Sequence, residues 1–328
     1  MEWNRVSEAL EVSKTNRIQA KKVRLDAFRP FPNSILQRLH EDIALEWTYN
    51  SNAIEGNTLS LNETKVVLQH GLTVGGKTLR EHFETINHKK AIDWLTARVN
   101  QDFPLSVNDI LHLHYLVMSG IADEYAGTIR TGRVRITGAK FIPPNPLKVP
   151  ALLDELIEWV NENPLNLNIV ERISVFHHRF VWIHPFFDGN GRTARLVMNL
   201  LLMKWGYPPV IVLKVDRMKY YRALEDANSF QYSKLFLLIF QGLEQSLDRY
   251  LNAIEPGDGY DMVPLSEIAK ESEIPYGQEY LSLLARRGEI EAFKTGRVWY
   301  ATKGAVLNST YPFIFCLGRL DHGCISLL

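Results

Sequence analysis

Apolar residues recur in a helical rhythm along most of this chain. From about Ser34 to Asn50 they fall at Ile35, Leu36, Leu39, Ile43 and Leu45, the spacing of one buried helix face. Arg29-Pro30-Phe31-Pro32-Asn33 precedes that run. Proline removes a donor and restricts its predecessor, so residues 1–30 read as a separate, basic, helical lead-in. Residues 60–120 read as further helices. Between 168 and 183, Ile169, Ile173, Phe176, Phe180 and Ile183 alternate intervals of four and three, a buried stripe. A glycine-rich turn follows, then a helix from about Gly191 to Trp205. Gly206 stops it, with Pro208 and Pro209 beyond. Helices continue to about Ile254.

Two stretches leave this rhythm. In residues 125–146, Thr, Val and Ile alternate with Arg, and glycines and prolines punctuate the run, the signature of a short hairpin or flap. Glu255-Pro256-Gly257-Asp258-Gly259 reads as a linker to a separate unit over residues 260–305. There Ser266 is placed to cap a short helix with Ile268 and Ala269 inward. A turn follows at Glu273-Ile274-Pro275, and a second helix runs from about Tyr276 to Arg287. Gly288 closes it, and a hairpin carries Lys294-Thr295-Gly296-Arg297 at its tip. Residues 306–328 are an apolar tail of a different character.

Composition narrows the classes. The chain has 328 residues, 46% hydrophobic and 23% charged, enough for a large core without staples. Lys+Arg and Asp+Glu both number 37, which excludes a broad nucleic-acid-type field but not a local basic patch. The two cysteines, Cys316 and Cys324, lie in the tail and are no disulfide framework, which suits a reducing compartment. The longest strongly apolar run, Leu235 to Phe240, is too short to span a bilayer. The first residues lack the apolar centre of a signal peptide. A cytoplasmic protein is expected, with no membrane partner.

The chemistry concentrates in His184-Pro185-Phe186-Phe187-Asp188-Gly189-Asn190-Gly191-Arg192-Thr193-Ala194-Arg195. Glycines in a strand-free turn let backbone amides converge on an anion, and the next helix aims its N-terminus at the same spot. Arg192 and Arg195 are three apart and share a helix face, with Asn199 beyond; two guanidinium forks there suit a polyphosphate. Asp188 offers a hard oxygen for Mg²⁺. His184 titrates near neutrality and suits a general base. Taken singly, each has a plainer reading: a packing histidine, an ordinary turn, a solvated basic face. His177 and His178 read as structural, without the ligand spacing of a zinc site.

This motif resembles the signature of Fic-domain proteins. The resemblance implies a mostly α fold: a Fic-type helical bundle with a β-hairpin flap, joined here to a small winged helix-turn-helix unit. It further implies transfer of AMP from ATP-Mg²⁺ to Ser, Thr or Tyr hydroxyls of a target protein. By position, His184 is then the base and Asp188 the metal ligand. Gly189, Asn190 and Gly191 form the anion hole, and Arg192 and Arg195 bind phosphate. Lys219-Tyr220-Tyr221 and Asn228 resemble nucleotide-side residues of the animal-type branch, which puts Tyr220, Tyr221 and Asn228 around ribose and adenine; core packing is the plainer reading of both tyrosines. The flap, about 128–144, resembles the family's target-docking hairpin, with Ile136 and Thr137 as contacts.

Upstream, Ser51-Asn52-Ala53-Ile54-Glu55-Gly56-Asn57 ends a helix. Ser51 and Glu55 share a face, and a carboxylate at a helix C-terminus calls for a cationic partner. The segment resembles the Ser/Thr-x-x-x-Glu-Gly/Asn inhibitory motif of Fic proteins. That implies pairing of Glu55 with Arg195, an autoinhibited enzyme, and a second use of Glu55 in removing AMP. The domain reading is a lead-in at 1–40 and a Fic domain at 41–255, with its inhibitory helix at about 41–57. A winged unit at 260–305 and a tail at 306–328 complete it. Arg286, Arg287, Lys294 and Arg297 are a modest basic set, so that unit is open to DNA or to protein, with protein favoured. A homodimer is the assembly that relatives suggest. Two alternatives stand beside this reading: a nucleotide-sensing DNA-binding regulator, and a Fic enzyme with another donor such as UTP.

Overall fold

The computed structural model describes residues 6, 8–31, 33–99, 104–255 and 262–310. The chain divides at Glu255 into two compact units. Each has its own apolar core.

The first unit is helical throughout. Its elements are α1 (Val12–Asp26), α2 (Asn33–Ile54), α3 (Leu61–His70), α4 (Leu79–Val99) and α5 (Val107–Met118). After them come α6 (Val149–Glu162), α7 (Ile169–Ile183), α8 (Asn190–Lys204), α9 (Arg217–Ala227) and α10 (Ser233–Ile254). Capping boxes start three of these: Ser60 with Glu63, Ser106 with Asp109, and Asn168 with Glu171. Each box satisfies two backbone donors that a helix start otherwise strands. Gly206 ends the α8 region in the left-handed conformation, φ 77°, as its position suggests.

α7 and α8 form the centre. The stripe Ile173, Phe176, Phe180 and Ile183 is fully buried, each side chain worth roughly 1.5–3 kcal/mol of burial. α8 packs against α7, α4 and α5, and α4 also packs against α2. The Glu55 segment and the 184–195 turn are thereby held on neighbouring helices.

The lead-in is part of this unit. α1 lies along α10. Arg17 pairs with Glu244, Lys21 with Asp248 at 2.8 Å, and Arg24 with Glu255. Glu171, the N3 residue of α7, accepts the Leu10 amide at 2.7 Å. The basic face of α1 is thus an internal ion-pair seam. The boundary at residue 40 falls inside α2, because the helix restarts directly after the Pro30–Pro32 break.

The flap differs from its expectation. Residues 128–145 contain no strand, and every described strand belongs to the second unit. Exposure still alternates, Val134 and Ile136 half-buried and Arg133, Arg135 and Thr137 exposed, around a turn at Thr137-Gly138. The period is that of a strand, but the returning arm carries Pro143 and Pro144, which have no amide to donate. The Arg130 guanidinium takes the carbonyls of Gly132 and Pro144 instead.

The second unit has β1 (Val263–Pro264), α11 (Leu265–Ile268), α12 (Gln278–Arg286), β2 (Ala292–Thr295), β3 (Val298–Ala301) and α13 (Lys303–Thr310). Its antiparallel sheet runs β1-β3-β2, with Thr295 opposite Val298 at the predicted hairpin tip. Two short helices and a wing over a core of Leu265, Ile268, Leu281 and Leu284 are compatible with a winged helix-turn-helix. Ser266 lies inside α11, and the cap position is Pro264 without a side-chain bond, because β1 runs directly into the helix. α13 carries helix past residue 306, where the tail was expected to begin. The central linker residues, and Cys316 and Cys324, lie outside the described residues.

Candidate active site

His184 ends α7 in the left-handed conformation, φ 50° and ψ 62°. That conformation is unusual away from glycine and places a reversal directly after the stripe. Its Nδ1 faces the Val181 carbonyl at 3.2 Å. A carbonyl only accepts, so Nδ1 carries the proton and Nε2 of the neutral ring is left as the acceptor. Burial and the nearby Arg130 cation lower the imidazole to about 4, despite opposing contributions from Val181, Glu55 and Asp188. The ring is therefore neutral at physiological pH, the form a base requires.

The turn after it is braced by side chains. Asn190 accepts the Phe186 amide and donates to the Phe186 carbonyl, both at 2.9 Å. Gly189 adopts φ 74° and precedes α8 with no side-chain cap. The first amides of α8 therefore have neither an intrahelical acceptor nor a cap, and with the helix dipole they favour an anion. A Cβ on Gly191 would come within 3.0 Å of Glu55 Oε1, so that carboxylate would have to shift. That carboxylate already lies against the cradle, so an anion fits it.

Arg192 and Arg195 are buried, each 2% exposed. Arg195 donates to Glu55 Oε1 at 2.7 Å, to the Ser51 hydroxyl at 3.0 Å and to the Ser51 carbonyl at 2.8 Å. Its Nη1 has no partner, an orphaned donor on a buried cation. Burial works against its charge, and the Glu55 carboxylate and Tyr220 more than offset that. Arg192 faces Glu84 at 3.2 Å and Asp188 at 3.6 Å. Glu55 itself follows the last residue of α2. Arg217 and Tyr221 hold the Ile54 carbonyl at 2.6 and 3.2 Å, and Gly56 turns the chain away at φ 105°.

Asp188 is half-exposed and pairs with Arg80 of α4 at 2.5 Å. Burial raises its carboxyl, but Arg192, the Gly189 amide and Arg80 outweigh it and leave the acid more acidic than usual. It is therefore anionic. Among the described residues no cluster of three His, Cys, Asp or Glu side chains could hold a metal. A lone carboxylate beside a phosphate cradle nonetheless suits Mg²⁺, whose remaining ligands come from nucleotide oxygens and water.

Other sequence candidates divide. Tyr220 is buried beside Arg195, with its hydroxyl 2.7 Å from His177 Nε2. Tyr221 and Asn228 are half-buried. Asn228 accepts from His178 Nε2 at 3.0 Å. His177 and His178 are buried and hydrogen-bonded within the core. Asn199 clamps the Val210 backbone, donating and accepting at 2.8 Å. Ile136 and Thr137 lie in the extended flap.

Several residues escaped sequence reasoning. His114 stacks on Phe186 with centroids 3.6 Å apart. It accepts the Gly127 amide and so donates through Nε2 to the Asp188 carbonyl, both at 3.0 Å. Glu84, Arg80 and Arg130 are the others. His114 gave one faint signal, a polar residue on the buried face of α5.

The Fic/DOC family model matches residues 104–202. Fic-1 of Caenorhabditis elegans has a solved structure 33% identical to this chain, with a TM-score of 0.66, covering 74% of this chain and 71% of that one. The chain belongs to the Fic family. A Fic-domain signaling protein of Bacteroides thetaiotaomicron is 26% identical over 75% of this chain and 99% of its own, also at TM-score 0.66. "Protein adenylyltransferase fic-1" of Caenorhabditis briggsae is 35% identical over 69% of this Fic chain. The Drosophila willistoni "Protein adenylyltransferase Fic" is 35% identical over 75%. This Fic chain spans about half the length of those curated relatives, 45% and 49%. No described helix is long and apolar enough to cross a membrane.

Proposed function

We propose that this Fic protein is an autoinhibited protein adenylyltransferase, moving AMP from ATP to a Ser, Thr or Tyr hydroxyl of a target protein. The observation that carries the reading is the cradle: an uncapped helix start, two buried arginines and an orphaned Arg195 donor, already approached by one anion. Triphosphate takes the place of the Glu55 carboxylate, with the amides of Asn190 and Gly191 on one side and Arg192 and Arg195 on the other, while the Gly189 amide holds the Asp188 carboxylate at 2.6 Å. Tyr220, Tyr221 and Asn228 border the nucleoside. The target hydroxyl attacks the α-phosphorus as its proton passes to Nε2 of His184. The bond to the β-phosphate oxygen breaks and pyrophosphate leaves. Asp188 would hold Mg²⁺, which would supply neutralising charge to the phosphates. Positioning and charge supply most of the acceleration, as in phosphoryl transfer generally.

The flap serves as an edge for an extended target segment at Ile136 and Thr137. Its unladdered backbone and alternating exposure support pairing by β-augmentation. Glu55 serves as the brake and, on modified target, as the group that orients water to remove AMP. The second unit binds a protein partner, with DNA as the competing occupant through Arg286, Arg287, Lys294 and Arg297. A homodimer and a cytoplasmic site of action complete the reading.

The donor test uses ATP labelled at the α- or the γ-phosphate with Glu55→Gly protein and cell lysate. Label is expected on protein from the α-position only, dependent on Mg²⁺. Transfer from the γ-position, or transfer from labelled UTP in preference to ATP, would replace this reading with another donor chemistry.

A further inference from the structure

Arg130 enters neither the catalytic nor the inhibitory motif, yet it joins the base to the flap. Its amide donates to the Pro185 carbonyl at 2.9 Å. Its guanidinium donates to the carbonyls of His184 at 2.7 Å, Gly132 at 3.0 Å and Pro144 at 2.6 Å, with Ile183 at 3.4 Å. Every acceptor is a backbone carbonyl, and the side chain is 2% exposed.

A buried cation is costly unless its donors are met. Here two acceptors, Ile183 and His184, are carbonyls at the C-terminal end of α7, which have no intrahelical partner and carry the negative pole of the helix. The other two, Gly132 and Pro144, are the feet of the flap. One planar fork therefore closes the end of the catalytic helix and ties both feet to it. A lysine has one point of charge and cannot span these directions.

We propose that Arg130 is a positioning residue that makes His184 and the flap one body, so that the base and a docked hydroxyl share a fixed frame. The purpose rests on the adenylyltransferase reading; the physical linkage does not. The same cation also discourages protonation of the imidazole. The other groups facing His184 are the Val181 carbonyl within its own helix, Glu55 beyond α2 and Asp188 in the turn, all of which favour protonation, while burial opposes it.

The test uses the full chain, followed by NMR: ¹³C-labelled histidine for the ring titration, and ¹⁵N relaxation of flap residues 133–142 for their motion on the ps–ns scale. Arg130→Gln removes the charge and the fork; Arg130→Lys keeps only the charge. In the parent protein His184 is expected to stay neutral down to about pH 5, given its value of about 4. In Arg130→Gln its midpoint is expected to rise, short of the ordinary value because burial still lowers it, and in Arg130→Lys to stay near the parent value. Both substitutions are expected to lower the backbone order parameters of the flap to below about 0.6, while α8 stays near the rigid value of about 0.85. Unchanged flap order parameters in Arg130→Lys overturn the linkage, and this arm decides alone if Arg130→Gln does not fold. An unmoved His184 midpoint in folded Arg130→Gln overturns the coupling to the base. Neither readout uses nucleotide, so failure of the transfer reading is distinguishable from failure of this one.

Discussion

Replacing Glu55 with glycine should strengthen binding of triphosphate. The pair it breaks is a 2.7 Å charge-assisted contact to a guanidinium whose side chain is 2% exposed, while the Glu55 side chain is 31% exposed. Hydrogen bonds to charged groups contribute about 1.5–3 kcal/mol, and partial exposure of the carboxylate argues for the lower part of that range. A second gain comes from space, because the carboxylate lies where the cradle closes over Gly191. Arg195 stays aimed throughout, since Ser51 holds it by two further bonds. The expected gain in affinity is roughly 10- to 100-fold. Isothermal titration with a non-hydrolysable ATP analogue at fixed Mg²⁺ measures it directly. Glu55→Gln, which keeps the volume and removes the charge, should fall between the two proteins. Affinity within about twofold for all three would refute the reasoning, because the carboxylate would then not compete with phosphate.

Three other outcomes follow from the same geometry. Gly191→Ala should push the Glu55 carboxylate aside and destabilise the parent by up to about 1 kcal/mol, the worth of a part-exposed ion pair, and cost less in the Glu55→Gly background; equal costs in urea denaturation of both would deny the close approach. Arg80→Ala should lower the Mg²⁺ concentration needed for half-maximal nucleotide binding, since a guanidinium no longer competes for Asp188; an unchanged requirement would mean the pair opens freely. Acid should weaken the fold between about pH 6.5 and pH 4. Burial leads the lowering of His114, His178 and His184 to about 4 and of His177 to about 3. Unfolded histidines bind protons in that window while the folded ones do not, so stability is full above the unfolded value and falls with pH. Each histidine contributes up to about 1.4 kcal/mol per pH unit. A denaturation midpoint flat over that window would contradict the burial-driven shifts.

The parts of the site that were legible in the sequence are those whose chemistry is local. The 184–195 turn puts base, cradle and arginines in one continuous segment, so spacing alone brings them together. Glu55 and Arg195 are far apart in sequence, and only the inhibitory motif linked them; the 2.7 Å contact is where the helices place it. Arg80, Glu84, His114 and Arg130 carry no motif, because their roles arise from packing of α4, α5 and the flap onto the turn. The flap exposes the opposite weakness: alternation signals extended backbone but does not say whether a partner strand exists, and two prolines plus one guanidinium removed it. Asn199 shows the same limit, since helical spacing put it on the arginine face while the Val210 backbone took its amide.

The most direct test of an autoinhibited adenylyltransferase compares three full-length proteins: the parent, Glu55→Gly, and Glu55→Gly with His184→Ala. Each is incubated with α-³²P-labelled ATP, Mg²⁺ and cell lysate. Strong labelling of proteins, the enzyme among them, is expected with the single substitution alone. Labelling no greater than the parent's in Glu55→Gly, with ATP binding confirmed, would contradict the account, as would equal labelling when His184 is absent.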